Sequence, residues 1–321
     1  MTSKSRPLAL GLRGARNYLT GRPLCVSFEI TRNCNALCRH CHLGGRAADE
    51  VRAAPEDYGR MCRELKPVVA QVSGGEPLLR RDVEDVVRSL RGGTFPYVVL
   101  TTNGALLSHD KYARLSESGV DEVSLSFDYP DERHDAFRGI PGLFGRIRDF
   151  IAGTKGVGGA RITLSCVIQS DNFRDMLRAA ELARTWGVGL NFSTYTWMRT
   201  EDRGYMISAG DMAELREIIG RVAAFKKDHG TVFTSNYVLA RIPEYFANGT
   251  FPGCRAGQRF MVVNPDATLS PCGLIIRDYA TFADMQREFV RTNDCTYCYT
   301  SSRANSEKPA WRAGLDNILR A

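Results

Sequence analysis

The sequence has no apolar run approaching the ~20 residues a bilayer-spanning helix needs, so no membrane partner is expected. Its first residues, MTSKSRPLALGLRGARNYLTGRP, are basic but lack the apolar core and small-residue cleavage site of a secretory signal. The chain is therefore expected to be cytoplasmic. Lysines are few, and the net charge of +7 rests on an arginine-heavy set. No Lys/Arg block is dense enough to form a nucleic-acid stripe. The charge reads as dispersed surface charge, or as a preference for an anionic substrate, and no nucleic-acid partner is expected. Repeats, low-complexity segments and Gly or Pro enrichment are all missing. What remains is an ordinary globular composition, 43% hydrophobic and 25% charged over 321 residues. That is enough for one large α/β domain or two unequal ones.

Cysteine is the residue present in excess. Ten cysteines in a reducing compartment are more often metal ligands or reactive groups than disulfides. Seven of them fall into two sets. Cys34, Cys38 and Cys41 share one loop, and Cys254, Cys272, Cys295 and Cys298 lie in a turn-rich C-terminal stretch.

From residue 24, β-branched runs alternate with helical spacing. Strands are expected at 24–31, 68–74, 97–103, 121–128, 160–169 and 187–195. Helices are expected at 55–65, 81–90, 108–118, 143–154, 174–186 and 211–228. Six successive βα units imply a parallel sheet with crossover helices, curled into an open, partial (β/α)6 barrel. Reactive groups should then gather where strands end and loops begin. The cysteine loop follows the first strand, SGGEP (73–77) the second, TTNG (101–104) the third, and SFD (126–128) closes the fourth. The expected division is an N-terminal extension (1–20), a core (21–230) and a small appended C-terminal module (231–321).

Three thiolates from one loop suit either zinc, with His40 or His42 as fourth ligand, or an iron–sulfur cluster with one iron left open. CNALCRHC resembles the signature of radical S-adenosylmethionine enzymes, and GGEP, TTNG and the Ser126/Asp128 segment follow in the order that family shows. The resemblance covers about residues 20–200. It implies that Cys34, Cys38 and Cys41 hold a 4Fe–4S cluster whose open iron takes S-adenosylmethionine. It further implies that His40 packs near the adenine, in a position usually held by Tyr, Phe or Trp. Gly74 and Gly75 would let the backbone approach the methionine, Glu76 would accept from its ammonium, and Ser126 and Arg138 would be further cofactor contacts. The implied chemistry is reductive cleavage to a 5′-deoxyadenosyl radical, which abstracts hydrogen from an unactivated C–H bond, with a flavodoxin- or ferredoxin-type reductant.

Around Cys272, MVVNPDATLSPC reads as strand–turn–strand and resembles the SPASM and twitch extensions of that family. Four cysteines match a twitch-like module with one auxiliary 4Fe–4S cluster; a structural zinc uses the same ligands. Cys25 and Cys62 read as small buried groups. Cys166, on the fifth strand, is a candidate hydrogen-atom donor if it faces the barrel interior. Tyr195, Trp197, Met198, Glu29 and His42 are candidates to line the substrate space. The expected substrate is a small polar metabolite, a sugar or aminocyclitol undergoing dehydrogenation, epimerisation or rearrangement. The alternatives are a ribosomal peptide, disfavoured because 33 residues before Cys34 leave no space for a leader-binding domain, and a non-catalytic metal-stabilised scaffold.

Overall fold

The computed structural model describes residues 5–45, 49–275 and 277–309. Residues 1–4 of the expected extension and 310–321 of the expected C-terminal module lie outside them. Six parallel strands follow in chain order: β1 (Cys25–Glu29), β2 (Val69–Ser73), β3 (Tyr97–Thr102), β4 (Glu122–Ser126), β5 (Arg161–Ile168) and β6 (Gly189–Thr194). The connecting helices are α2 (Pro55–Leu65), α3 (Val83–Arg91), α4 (His109–Ser118), α6 (Leu143–Gly153) and α7 (Met176–Trp186), and α8 (Met212–His229) follows β6. A parallel pair cannot be joined by a tight turn, so each strand needs such a crossover. The sheet is open rather than closed, as expected of a partial barrel.

Strand alternation separates the two faces. On β1, Val26 and Phe28 are fully buried against the helices, while Cys25, Ser27 and Glu29 are half-buried on the inner face. The same period places Gln71 and Ser73 of β2 and Thr101 of β3 inside, where Gln71 Nε2 donates to Thr101 Oγ1 at 2.9 Å and the Ser27 and Ser73 hydroxyls are 2.7 Å apart. A complete β/α barrel fills this space with Val, Ile and Leu. Here polar side chains share that face with apolar ones such as Val99 and Val167.

Two elements go beyond the sequence reading. The N-terminal segment is a helix, α1 (Ser5–Thr20), lying across the starts of β1 to β4. Asn17 Nδ2 donates to the Pro23 and Lys66 carbonyls, Arg6 Nη2 donates to the Pro96 carbonyl, and the Arg6 guanidinium pairs with Asp121. A short helix, α5 (Arg133–Arg138), follows β4.

The C-terminal segment is not merely appended. After α9 (Asn236–Leu239) and α10 (Ile242–Asn248), β7 (Phe260–Val263) pairs in parallel with β1, matching Cys25 to Phe260 and Phe28 to Val263. A turn at 264–268 leads into β8 (Leu269–Ser270), antiparallel to β7, as the strand–turn–strand pattern predicts. The edge of β1 would otherwise present unpaired backbone groups, and β7 satisfies them. Helices α11 (Phe282–Glu288) and α12 (Ser301–Ser306) complete the segment. Among the described residues, no helix is long and apolar enough to cross a membrane.

Candidate active site

The cysteine loop leaves β1 and is held from two sides. On one side stands the turn after β2. Gly75 N–H donates to the Thr31 carbonyl at 2.7 Å and Glu76 N–H to the Asn33 carbonyl at 2.8 Å. A Cβ on Gly74 (φ +132°) would overlap the Thr31 carbonyl oxygen, and one on Gly75 would sit 2.5 Å from Asn33 C and 2.6 Å from Arg32 O. The missing side chains thus admit the cysteine loop itself. Of the two, Gly74 also lines the central cavity.

Glu76 differs from expectation for a related reason. Its carboxylate is buried and accepts from Leu78 N–H (3.0 Å), the Thr102 hydroxyl (2.7 Å) and Asn103 N–H (2.8 Å). Burial pushes its pKa up, and these donors oppose the shift. The side chain locks the turns after β2 and β3 together.

On the other side stands α5. Leu37 N–H donates to the Arg138 carbonyl, Arg39 N–H to the Phe137 carbonyl, and the His40 ring stacks on Phe137 with centroids 4.9 Å apart. Arg138 is buried. Its Nε donates to Asp128 Oδ2 at 2.8 Å and its Nη1 to Cys38 Sγ at 3.5 Å. A fixed cation therefore stands on one thiol of the loop. Burial pushes the Cys34 and Cys38 thiols up, and Arg138 opposes this at Cys38. Burial also pushes His40 down to about 4, so its ring is neutral, and its Nδ1 is buried without a partner. Ser126 lies on the inner face of β4 but not on the cavity wall.

The two cysteine sets meet. Cys41 and His40 share a cavity of about 300 Å³ with Cys254, Cys272, Cys295 and Cys298. The neighbouring Cys254 and Cys295 thiols act on each other, lowering the Cys295 pKa and raising that of Cys254, while burial pushes Cys272 up to about 12. All ten cysteines are free of disulfides. Beside the C-terminal set stands a buried cation, Arg303, with Nη1 donating to the Cys298 carbonyl at 2.6 Å and Nε to Glu307 at 3.1 Å. Among the described residues, no three His, Cys, Asp or Glu side chains are drawn together around a single metal-ion position.

The remaining wall is mixed: Ser27, Glu29, Gln71, Ser73, Ser193 and Arg199 stand beside Val167, Phe260, Met261, Val262 and Leu274. Arg199 Nη2 donates to the Gly273 carbonyl at 2.7 Å and lies 3.8 Å from Glu29 Oε1. Burial raises the Glu29 pKa against the pull of Arg199 and Arg32. Thr194 adjoins the cavity, and its Oγ1 is buried without a hydrogen-bond partner.

Other expectations are redirected. Cys166 does not face the lumen. Its neighbours Ser165 and Val167 hold the inner positions of β5, so its thiol points to the helix side, 3.8 Å from the Asp128 carbonyl and 3.9 Å from Asn172 Nδ2. A hydrogen-donor role for Cys166 is excluded by that parity. Cys25, expected to be a core residue, lines the cavity instead, while Cys62 is buried against the Leu90 carbonyl as expected. Tyr195 and Met198 line the cavity; Trp197 lies outside it beneath the Arg203 guanidinium, and His42 is exposed.

Residues 28–184 match the family model described as the Radical SAM superfamily. These residues form a radical SAM domain. Members use a 4Fe–4S cluster with S-adenosylmethionine, and this radical SAM chain is accordingly an enzyme. It is 27% identical over 307 residues to the AdoMet-dependent heme synthase of Nitratidesulfovibrio vulgaris, covering 83% of this chain and 78% of that protein. It is 28% identical over 265 residues to a probable GTP 3′,8-cyclase of Saccharolobus solfataricus, covering 78% and 83%. Among solved structures, Streptococcus suis SuiB bound to S-adenosylmethionine superposes with a TM-score of 0.64 at 19% identity, over 85% of this chain and 68% of that one. The anSMEcpe enzyme with bound AdoMet gives 0.63 at 17% identity, over 93% and 98%. These last two likenesses are of fold. The loop's donor set fits the family's cluster: three free thiols, a cation on one of them, and an unpartnered buried ring nitrogen beside the third.

Proposed function

We propose that Cys34, Cys38 and Cys41 hold the 4Fe–4S cluster, and that Cys254, Cys272, Cys295 and Cys298 hold an auxiliary iron–sulfur cluster in a C-terminal, twitch-like unit spanning about residues 231–321. The enzyme then removes hydrogen from an unactivated C–H bond of a small polar metabolite such as a sugar or aminocyclitol. The cluster and S-adenosylmethionine supply one-electron cleavage to a 5′-deoxyadenosyl radical, with electrons from a flavodoxin- or ferredoxin-type reductant.

The chain's own residues set the stage for that chemistry. Arg138 steadies Cys38, His40 and Gly74 present the cofactor side of the cavity, and the glycine–glycine turn fixes the loop. The wall orients the substrate and keeps water out. The position of the C-terminal thiols behind a radical SAM domain supports a second cluster over a structural zinc.

The observation that carries the substrate class is the set of hydrogen-bonding side chains on the cavity wall, Ser27, Gln71, Ser73, Ser193 and Glu29, the last held only loosely by Arg199. An apolar substrate would leave such groups unsatisfied, at about 1–3 kcal/mol for each. A substrate bearing hydroxyl or amino groups satisfies them. Two relatives of nearly equal identity carry different activities, so the substrate is better read from the lumen than from either name.

The test uses anaerobically reconstituted enzyme with dithionite. Iron and sulfide are counted for wild type and for the Cys34/Cys38/Cys41→Ala triple variant, and 5′-deoxyadenosine is measured in both. Perdeuterated sugars, aminocyclitols and peptides are then compared as sources of deuterium in the 5′-deoxyadenosine. About eight irons in wild type and about four in the variant are expected, with deuterium arriving from a polyhydroxylated donor and less of it in Glu29→Gln. Deuterium from a peptide alone would sink the substrate class. Four irons plus one zinc would remove the auxiliary cluster.

A further inference from the structure

Each cysteine set has a buried arginine against it, and the two are built alike. Arg138, on α5, stands on Cys38 and is backed by Asp128. Arg303, on α12, stands behind the closely spaced pair Cys295 and Cys298 and is backed by Glu307. The second is the more deeply placed, its side chain 0% exposed against 8% for Arg138.

Every nitrogen of the Arg303 guanidinium is engaged. Nε donates to both Glu307 oxygens at 3.1 Å, Nη1 to the Cys298 carbonyl at 2.6 Å, and Nη2 to the Phe251 and Pro252 carbonyls at 2.5 and 2.9 Å. Phe251 and Pro252 lead into Cys254, so one side chain ties the approach to Cys254 to the turn at Cys298. A purely structural account stops at those carbonyls. It leaves the charge unexplained, because neutral donors would satisfy backbone oxygens without the cost of burying a cation.

The charge has a use at the thiols. Burial pushes Cys298 up, and Arg303 opposes it. Arg303 also draws down Cys254 and Cys295, on which the largest influence is each other's thiol. Thiols bind metal as thiolates, so a loaded site gathers negative charge around this guanidinium, of which Glu307 cancels only part. Reduction adds one more negative charge to an iron–sulfur group, and a fixed cation close by favours that form.

We propose that Arg303 is the positioning residue that sets the redox level of the C-terminal cysteine site, its buried cation making a cluster held there easier to reduce. This role rests on the reading that Cys254, Cys272, Cys295 and Cys298 hold iron and sulfide, and it is independent of the substrate class.

The test is a potentiometric titration followed by electron paramagnetic resonance. It uses full-length Cys34/Cys38/Cys41→Ala protein reconstituted anaerobically, in which only the C-terminal set can hold a cluster. Arg303→Met, Arg303→Lys and Glu307→Gln are compared in that background, with iron, zinc and melting temperature measured for each. Arg303→Met should lower the midpoint by the equivalent of about a tenfold fall in the reduced-to-oxidised ratio, about 59 mV for one electron. Arg303→Lys keeps the charge and should stay closer to the parent. Glu307→Gln leaves Arg303 in place and removes the carboxylate that offsets it, so the midpoint should rise. Shifts of opposite sign are not what a structural role gives, since loosening the segment lowers melting temperature and iron content in both variants. If Arg303→Met holds no iron, the sign of the Glu307→Gln shift decides alone. Midpoints that stay at the parent value, or that fall in both variants, overturn the role of Arg303. Zinc or no metal in the triple-alanine parent, with about four irons in wild type, overturns the two-cluster reading and this role with it.

Discussion

Replacing Gly75 by Ala tests how the cysteine loop is held. The added methyl group would meet Asn33 C at 2.5 Å and Arg32 O at 2.6 Å, whereas ordinary contact begins at 3.4 Å. The Asn33 carbonyl oxygen lies nearer still, so the loop must retreat by more than about 1 Å, and what it meets is backbone, which cannot rotate away. Such overpacking costs about 1–3 kcal/mol. The retreat also strains the two hydrogen bonds from Gly75 and Glu76 N–H to the Thr31 and Asn33 carbonyls, worth about 0.5–1.5 kcal/mol each. A total of about 2–6 kcal/mol is a large share of the 5–15 typical of a folded domain. Gly220 gives the contrast, since its Cβ meets nothing within 4 Å and it lies within α8. Ala there should stabilise by up to about 1 kcal/mol. Urea unfolding of the iron-free proteins separates the two cases, and iron bound after reconstitution reports on loop geometry. Gly75→Ala should unfold at markedly lower urea and bind less iron at the first site, and Gly220→Ala should do neither. Near-wild-type stability and iron in Gly75→Ala would refute the reading that these glycines exist for the loop.

Arg138→Met leaves Asp128 buried and unpaired, and should destabilise by about 3–5 kcal/mol; adding Asp128→Leu should recover much of that, and equal stability of single and double variants would disprove the coupling. Cys254→Ser and Cys295→Ser should each lower iron at the auxiliary site while 5′-deoxyadenosine formation in the absence of substrate persists; loss of both signals together would make the second set a requirement for folding. Asp131 is held down to about 2 by hydrogen bonds from Arg133, with burial opposing. Its folded pKa is below the ordinary value of about 3.9, so its contribution is present above that value and lost as pH falls towards 2. After discount for half-exposed partners, the advantage over Asp131→Asn should be about 1 kcal/mol near neutrality, with about half gone by pH 3. Urea midpoints of the iron-free proteins across this range check it, and a gap independent of pH refutes it.

The strand and helix pattern was legible because hydrophobic period is a local property. The helix at 55–65 coincides with α2, and the six strands fall within a few residues of expectation. The thiol clusters were legible for the same reason, three cysteines being carried on one loop. Other features depend on contacts distant in sequence. The pairing of Phe260 with Cys25 leaves no local trace, so the C-terminal segment read as an appendage. Arg303 and the Phe251 and Pro252 carbonyls are distant in sequence and meet only once that segment has folded. Glu76 looked like a ligand-facing carboxylate because sequence does not show the three internal donors that occupy it. Cys166 is a different case. Ser165 and Val167 flank it, and counting parity from the polar inner residues of β5 would have turned its thiol outward without any structure.

The parallel pairing of β1 with β7 bears on how the protein is made. During synthesis β1 emerges early, gains β2 soon afterwards, and keeps its other edge open until the ribosome has produced Phe260–Val263. An unpaired edge beside a thiol-rich loop is a site for misassociation. The nascent chain thus has a long vulnerable interval in which the first cysteines are present and their final neighbours are not. A product stopped after α8 would keep every strand of the early barrel yet carry that open edge permanently, and should collect in inclusion bodies. The cavity wall, too, is complete only once the last of these strands has closed against the first, since Phe260, Met261 and Val262 line it.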